Sequence, residues 1–183
     1  MKSISRDVVI IGAGISGSST AIYLTRHGIK PLIVDEALFP RETVGEGLSP
    51  AVGGYLKDLG VLDDIVASEY VQKKVSFQLV SPLGHTAYTK VDFTKKHYKD
   101  GLHDFPFGFN VRRKYFDYIF FNKAKSLGAE IWEETRVTNL RQEQDCISGI
   151  FVEKKNGEKI DIQEDKFSRR FFSVGYFELS SGT

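Results

Sequence analysis

Residues 7–35 read DVVIIGAGISGSSTAIYLTRHGIKPLIVD, and this stretch decides which fold the chain can adopt. It opens with the apolar run Val8–Ile11, which is typical of a buried parallel strand. Three glycines follow at G-x-G-x-x-G spacing, directly before a segment with helical periodicity. A second apolar run, Pro31–Val34, then leads to an acidic residue. The pattern predicts a strand, a tight turn, a helix and a second parallel strand.

Each part of the glycine-rich turn has a mechanical role in binding a dinucleotide. Gly12 permits the tight turn, Gly14 lets the backbone approach a pyrophosphate, and Gly17 lets the helix lie close to the strand. The free N–H groups at the helix start then face the phosphate charge. Asp35 can accept a hydrogen bond from a ribose 2′-OH and would repel a 2′-phosphate. The sequence therefore predicts a dinucleotide site, the alternative being a structural turn that binds nothing.

The composition of the chain excludes several classes of protein. At 183 residues, the chain is long enough for one domain, and a net charge of +1 argues against a general nucleic-acid binder. No apolar run approaches the ~20 residues of a membrane span. The single cysteine, Cys146, cannot form an internal disulfide, and Asp7 interrupts any signal-like core. We expect a soluble, cytoplasmic protein without a nucleic-acid partner.

The rest of the chain predicts an α/β fold with a Rossmann-like parallel sheet and helices on its faces. Asn156-Gly157 is a strong two-residue hairpin signal between the last two strands, which favours an antiparallel three-stranded meander. We expect one domain over residues 1–163 and an atypical tail over 164–183. The predicted elements are a loop at 36–48, helices at 50–59 (with Ser49 as N-cap), 62–67 and 113–127, and strands at 74–80, 85–93, 107–111, 130–133, 135–140, 146–153 and 158–162.

Two short motifs after Asp35 indicate a family. Phe39-Pro40-Arg41 and Gly45-Glu46-Gly47-Leu48 stand at closely similar spacing in the flavin-dependent halogenase and geranylgeranyl-reductase-like group of FAD enzymes, which belongs to the aromatic-hydroxylase-type flavoproteins. The chain resembles this group from Arg6 to about Gln163. The resemblance implies FAD, not NAD, in the glycine-rich site. It also implies that the Gly45–Leu48 segment runs along the flavin side of the cofactor.

Two further positions take a role from the same resemblance. Arg113 matches an arginine that contacts the cofactor, and its charge would complement the pyrophosphate, the alternative being a surface arginine. Val137 matches a position that touches the adenine through its backbone. No metal site is predicted. The candidate cofactor-binding residues are Gly12, Ala13, Gly14, Ile15, Ser16, Gly17, Asp35, Glu36, Arg41, Gly45, Glu46, Gly47, Arg113 and Val137.

The resemblance leaves the catalytic residues open. Halogenases of this group place a catalytic lysine near Lys73 and Lys74, but Val75-Ser76 stands where a glycine is expected soon after it. The Trp-x-Trp-x-Ile-Pro motif of halogenases is also absent, since Trp132 is the only tryptophan. We therefore assign Lys73 or Lys74 a catalytic role only for the halogenase alternative.

The function implied by the resemblance is the FAD-binding part of a flavin-dependent oxidoreductase. In the intact family, reduced flavin either reacts with oxygen to hydroxylate or halogenate a small molecule, or passes hydride to an alkene. NAD(P)H or reduced flavin is the expected electron donor. One alternative is a truncated, non-catalytic nucleotide-binding fragment. Another, an NAD-dependent dehydrogenase, is disfavoured because nothing after Asp35 resembles a nicotinamide half-domain.

The tail departs from the family pattern after Gln163. The group continues with an apolar strand that ends in Asp-Ala-Ser/Thr-Gly, whereas residues 169–172 here read RRFF. These four residues can be encoded CGA-CGC-TTC-T, and a step of one base gives GAC-GCT-TCT, which encodes Asp-Ala-Ser. We hypothesise a frameshift or a misjoined end. The chain alone is then expected to bind FAD weakly, to catalyse nothing and to aggregate.

Overall fold

A computed structural model describes residues 1–79, 89–94, 105–143 and 146–164. The helices are α1 (Ile15–Arg26), α2 (Val52–Asp58), α3 (Leu62–Ala67) and α4 (Arg113–Ser126). The strands are β1 (Lys2–Arg6), β2 (Val9–Ile11), β3 (Leu32–Val34), β4 (Glu46–Leu48), β5 (Val71–Lys74), β6 (Ser76–Leu79), β7 (Thr89–Asp92), β8 (Gly108–Val111), β9 (Glu130–Trp132), β10 (Thr135–Glu143), β11 (Cys146–Lys154) and β12 (Lys159–Glu164). The chain divides into a first unit, residues 1–41 with 120–183, and a second unit, residues 42–119.

The first unit is built on a parallel sheet in the order β2-β3-β9. Its central residues are apolar and fully buried, as expected for strands covered on both faces: Ile10, Leu32 and Ile33 are each 0 % exposed. Helix α1 connects β2 to β3. The strand, turn, helix and strand predicted over residues 7–35 are confirmed.

A four-stranded sheet in the order β1-β12-β11-β10 completes the first unit. The antiparallel meander of β10, β11 and β12 is confirmed, and Gly157, at φ +83°, lies in the turn between β11 and β12. The turn has three residues rather than the predicted two, because the Lys154 N–H donates to the Glu158 carbonyl at 3.0 Å. Strand β1 was not predicted, since its polar sequence KSISR has no apolar pattern and its pairing with β12 is long-range.

The two sheets of the first unit share one apolar core. Val9, Leu32 and Val34 of the parallel sheet form a buried cluster with aliphatic side chains of the meander. Burying such a side chain fully contributes about 1.5–3 kcal/mol. The meander contributes Val137, Ile150, Val152, Ile160 and Ile162.

The second unit contains an antiparallel sheet in the order β4-β8-β5 and a separate pair of strands, β6 and β7. Helix α3 has its predicted bounds. The predicted loop over residues 36–48 is wrong at its end, because Glu46–Leu48 pairs with β8 as strand β4. The triplet Glu46–Leu48 carries no apolar alternation, so its partner strand, about 60 residues further on, decides its conformation.

Two other predictions for the second unit need correction. Helix α2 begins at Val52, and not at Pro50 with Ser49 as its N-cap. The reason is that the Gly53 N–H donates to the Pro50 carbonyl at 2.9 Å, which forms a tighter turn before the helix. The predicted strand 74–80 breaks at Val75, since β5 pairs with β8 whereas β6 pairs with β7. Of the predicted strand 85–93, only Thr89–Asp92 is described as β7, and residues 80–88 lie outside the described ranges.

Candidate functional site

The glycine-rich turn lies at the carboxyl ends of β2 and β3 in the first unit. Gly12 has φ +96°, in the region that favours glycine, and turns the chain sharply after β2. Its N–H donates to the Val34 carbonyl at 2.8 Å, which ties the turn to the end of β3. The turn is thus held against the edge of the sheet where α/β proteins bind their ligands.

Gly17 is the position at which α1 packs against this turn. A Cβ atom built on Gly17 would lie 1.9 Å from the Gly12 carbonyl oxygen and 3.1 Å from the Ile10 Cγ2 atom. Real Cβ atoms do not approach a backbone oxygen so closely, so only glycine fits here without moving the helix. The role that the sequence assigned to Gly17, close contact between helix and strand, agrees with this geometry.

The start of α1 presents backbone donors rather than a side-chain cap. Gly14 is the N-cap residue, with an extended backbone at φ −68° and ψ −172°, and no side chain caps the helix. The first N–H groups of a helix have no intrahelical partner, so those of Ile15 and Ser16 are available to a ligand. These features fit a pyrophosphate, which needs bare backbone and a partial positive charge.

Asp35 holds the turn as well as facing the predicted ribose. Its carboxylate is buried, with Oδ2 accepting from the Ala13 N–H at 2.7 Å and Oδ1 accepting from the Ala37 N–H at 2.8 Å. A carboxylate offers about four acceptor positions, so each oxygen keeps one for a hydroxyl donor. The residue therefore fits a ribose, and its contact with Ala13 is a second role that the sequence did not predict.

Ser18 is a further residue of this site that the sequence analysis missed. Its hydroxyl is fully buried and donates to the Ala13 carbonyl at 2.9 Å. The Ala13 peptide is therefore held from both sides, through its N–H by Asp35 and through its carbonyl by Ser18. A serine in the first turn of a helix was the available signal, since such hydroxyls often bond nearby backbone.

Other candidate residues of the first unit lie beyond the turn. Glu36 is exposed and, with Arg136, lines an open cavity of about 560 Å³. The neighbouring Val137 is buried in the core, so only its backbone can reach a ligand. An irregularity in the pairing of β10 and β11 falls between Val137 and Asn139, and such bulges are common next to functional sites.

Arg41 packs on the aromatic residue of its own motif. Its guanidinium carbon lies 5.3 Å from the centroid of the Phe39 ring, which stacks on Phe121 with centroids 4.8 Å apart. The Phe39 N–H donates to the Glu133 carboxylate at 2.7 Å. The Phe-Pro-Arg segment is thus anchored to helix α4 and to the residue after β9.

In the second unit, Arg113 is held by two carboxylates. Its Nε and Nη2 atoms donate to both oxygens of Asp117 at 2.6 and 3.0 Å, and its Nη1 atom donates to Glu46 at 2.8 Å. Asp117 is 1 % exposed. The hydrogen bond with Asp117 raises the pKa of the Arg113 guanidinium above its ordinary value, although desolvation opposes this effect. Two N–H groups of the guanidinium remain for a ligand.

The two candidate lysines lie on opposite faces of strand β5. The Lys73 ammonium is 4.7 Å from the centroid of the Phe107 ring. The Lys74 ammonium lies over Gly47, 3.0 Å from the position that a Cβ on that glycine would occupy. Gly45 lies just before β4, next to the Val111 carbonyl. The sequence could not separate the two lysines, because neighbouring residues of a strand differ only in the face they occupy.

The chain belongs to the FAD binding domain family, since the sequence model of that family matches residues 5–165. Its cofactor is FAD, as the resemblance implied. The predicted kinship with flavin-dependent halogenases is confirmed by curated relatives, whereas the match with a geranylgeranyl-reductase-like protein shows a similar fold.

One curated relative is a 1H-pyrrole-2-carbonyl-(peptidyl-carrier protein) chlorinase from Pseudomonas fluorescens, 32% identical over 148 residues, covering 73% of this chain and 32% of the relative. Among solved structures, the myxobacterial chondrochloren halogenase matches with a TM-score of 0.76 at 22% identity, over 93% of this chain and 37% of that one. A geranylgeranyl bacteriochlorophyll reductase-like protein from Thermoplasma acidophilum matches with a TM-score of 0.70 at 21% identity, over 94% and 39% of the two chains. These two structures support the fold alone. The chain spans about a third of the length of the curated relative.

In the described part of the chain, no helix has the length and apolar character needed to span a membrane.

Proposed function

We propose that this chain binds FAD through residues 12–17 and Asp35 and serves a flavin-dependent oxidoreductase that acts on a small molecule. The observation that carries the proposal is the uncapped start of α1 beside a turn that Asp35 and Ser18 hold in place. Bare backbone at Gly14, Ile15 and Ser16 would bind the pyrophosphate, and Asp35 would bind the ribose. Bound FAD supplies the redox chemistry, whereas the protein binds and orients it.

The remaining assignments follow the family resemblance. Glu36 would contribute to cofactor binding, the backbone of Val137 would touch the adenine, and Arg41 would lie toward the far end of the cofactor. Gly45, Glu46, Gly47 and Arg113, all in the second unit, would contribute to its phosphate and flavin side. We propose a cytoplasmic location, NAD(P)H or reduced flavin as electron donor, and no nucleic-acid partner.

For the reaction itself, we propose halogenation, because the Pseudomonas fluorescens relative is a chlorinase, or the oxygenation that the family resemblance implies. Its named substrate is a pyrrole group on a peptidyl-carrier protein, so a carrier-bound substrate is one form that a small-molecule substrate could take. Under halogenation the catalytic lysine is Lys73 or Lys74. The saturating reduction of an alkene is the second candidate, which the resemblance to geranylgeranyl-reductase-like enzymes implies.

Titration of the purified chain with FAD, NAD and NADP tests the cofactor proposal. We expect FAD to bind most tightly and NADP most weakly, because the Asp35 carboxylate repels a 2′-phosphate. Quenching of flavin fluorescence and calorimetry measure the dissociation constants. A preference for NADP would overturn the assignment of Asp35.

Arg113→Ala is expected to weaken FAD binding by about 10- to 100-fold, since a charge-assisted hydrogen bond is typically worth ~1.5–3 kcal/mol. Arg112→Ala is the matched control, because it removes the same charge one residue earlier. Arg113→Ala also leaves the buried Asp117 without its partner, so the affinity must be measured on protein shown by circular dichroism to be folded. Equal weakening by both variants would refute the role of Arg113.

A further inference from the structure

One face of the sheet β4-β8-β5 carries polar residues, and a glycine on that face leaves part of it without a side chain. Gly47 pairs with Asn110, which pairs in turn with Gln72, and directly paired residues share a face. Lys74 lies two residues after Gln72 on β5 and therefore points to the same face. The opposite face carries the apolar Phe109 and Val111, which are 0 % and 4 % exposed. The sheet thus rests on its apolar face and turns a polar face outward.

Gly47 leaves a gap on this face, at the edge strand β4. A Cβ on Gly47 would lie 3.0 Å from the Lys74 Nζ atom and 3.3 Å from the Asn110 Oδ1 atom. The ammonium and the amide therefore border the same small space, directly over the backbone of β4. Any larger residue at this position would fill that space.

The Lys74 ammonium has no carboxylate partner among the described residues. It lies over Gly47, and the centroid of the Phe77 ring is 5.7 Å away. Two neighbouring cations of the second unit are paired with acids, since Arg113 binds Asp117 and Lys114 binds Glu42. The Lys73 ammonium lies instead over Phe107 on the opposite face. Within the described ranges, Lys74 thus brings a positive charge without a counter-ion to the gap.

A cavity adjoins this gap and offers room for the rest of a ligand. It has a volume of about 660 Å³, and Gln72 and Asn110 are among the residues that line it. Its two acidic residues already have partners: Glu46 binds Arg113, and Glu69 hydrogen-bonds the Tyr70 hydroxyl, which raises the pKa of that phenol. Neither acid is therefore a counter-ion for Lys74.

We propose that the gap over Gly47 binds the carboxylate of a small-molecule ligand. The Lys74 ammonium would hold one oxygen, and the side-chain amide groups of Asn110 and Gln72 would donate to the other after rotation about their last bonds. Lys74 is the cation that borders the gap itself, while Arg112 lines the adjoining cavity, so the gap matches a single negative charge rather than a phosphate dianion, which is normally met by several cationic or backbone donors. This inference rests on the proposed function in one respect, which is that the ligand is taken to be the substrate of the oxidoreductase.

Titration of the full ¹⁵N-labelled chain with benzoate, followed by NMR, tests the site. We expect saturable shifts of the Asn110 and Gln72 side-chain amide signals, and a dissociation constant raised about tenfold or more in Lys74→Gln. Lys73→Gln is the matched control, which removes the same charge from the opposite face and should change the constant less than about twofold. Lys74→Arg keeps the charge and should retain most of the affinity. Benzamide, the neutral analogue, should bind about tenfold more weakly than benzoate.

Several results would overturn the site. These are absence of saturable benzoate binding, equal weakening by Lys73→Gln and Lys74→Gln, or benzamide binding as tight as benzoate binding. A parallel titration with FAD separates this inference from the proposed function. A chain that binds FAD but not benzoate contradicts the carboxylate site alone, whereas a chain that binds benzoate but not FAD supports this site and contradicts the proposed cofactor site.

Discussion

Gly17→Ala is expected to abolish measurable FAD binding and to lower the free energy of unfolding by about 3 kcal/mol. The added methyl group would stand 1.9 Å from the Gly12 carbonyl oxygen, so either α1 or the turn must move. Because a pyrophosphate is proposed to bind in the angle between these two elements, a shift of either one misplaces the donors at Gly14, Ile15 and Ser16. Urea unfolding and fluorescence titration with FAD measure the two effects.

Gly28→Ala is the matched control, because Gly28 follows the other end of the same helix. A Cβ there meets no atom within 4 Å, but the residue has φ +79°, so a backbone strain of about 1–2 kcal/mol is expected. FAD affinity should be unchanged in the folded variant. If Gly17→Ala bound FAD as well as the unmodified chain, the close contact between α1 and the turn would have no part in binding.

Asp35→Ala should lower the free energy of unfolding by about 2–5 kcal/mol and weaken FAD binding by about 100-fold or more. The substitution removes the acceptor for the N–H groups of Ala13 and Ala37, and each lost hydrogen bond to a charged group is worth about 1.5–3 kcal/mol. It also removes the proposed ribose acceptor. Asp35→Asn keeps the shape and one acceptor oxygen, so it should show a smaller loss of stability.

Two outcomes separate the roles of Asp35. Unchanged stability in Asp35→Ala would contradict its role in holding the turn, whereas unchanged FAD affinity of the folded variant would contradict the ribose contact. Glu36→Ala serves as the control for stability, because this exposed neighbour is expected to change the free energy of unfolding by less than about 0.5 kcal/mol. The free energies of unfolding of Asp35→Ala and Glu36→Ala can be measured by urea unfolding followed by circular dichroism.

The strand, turn, helix and parallel strand of residues 7–35 could be predicted from the sequence because their determinants are local. The apolar run, the spacing of the glycines and the helical periodicity are each visible within a few residues. Asp35 follows them at the distance that the dinucleotide-binding pattern requires. The hairpin at Asn156-Gly157 could be predicted for the same reason, although its turn has three residues rather than the predicted two. The family motifs over residues 39–48 added the cofactor, because they are short and contiguous.

The tertiary structure alone decided the features that depend on distant partners. Strand β1 exists through pairing with β12, and β4 through pairing with β8, so neither has a pattern of its own. The contacts of Arg113 show the same difference. Its partner Asp117, four residues further on, was visible in the sequence, but its hydrogen bond to Glu46 joins residues 67 positions apart and needed the fold. The separation of Lys73 from Lys74 likewise needed the register of β5 against β8.

The sequence by itself therefore determined the class of cofactor and predicted the residues that would bind it, whereas the fold decided how the proposed site is held. Asp35 was predicted as a ligand of the ribose, yet its carboxylate also fixes the Ala13 peptide, 22 residues away. Ser18 completes that peptide's hydrogen bonds from within the helix. Such roles depend on side chains that meet only after the sheet has formed, because a buried polar group is stable only where the fold supplies its partner.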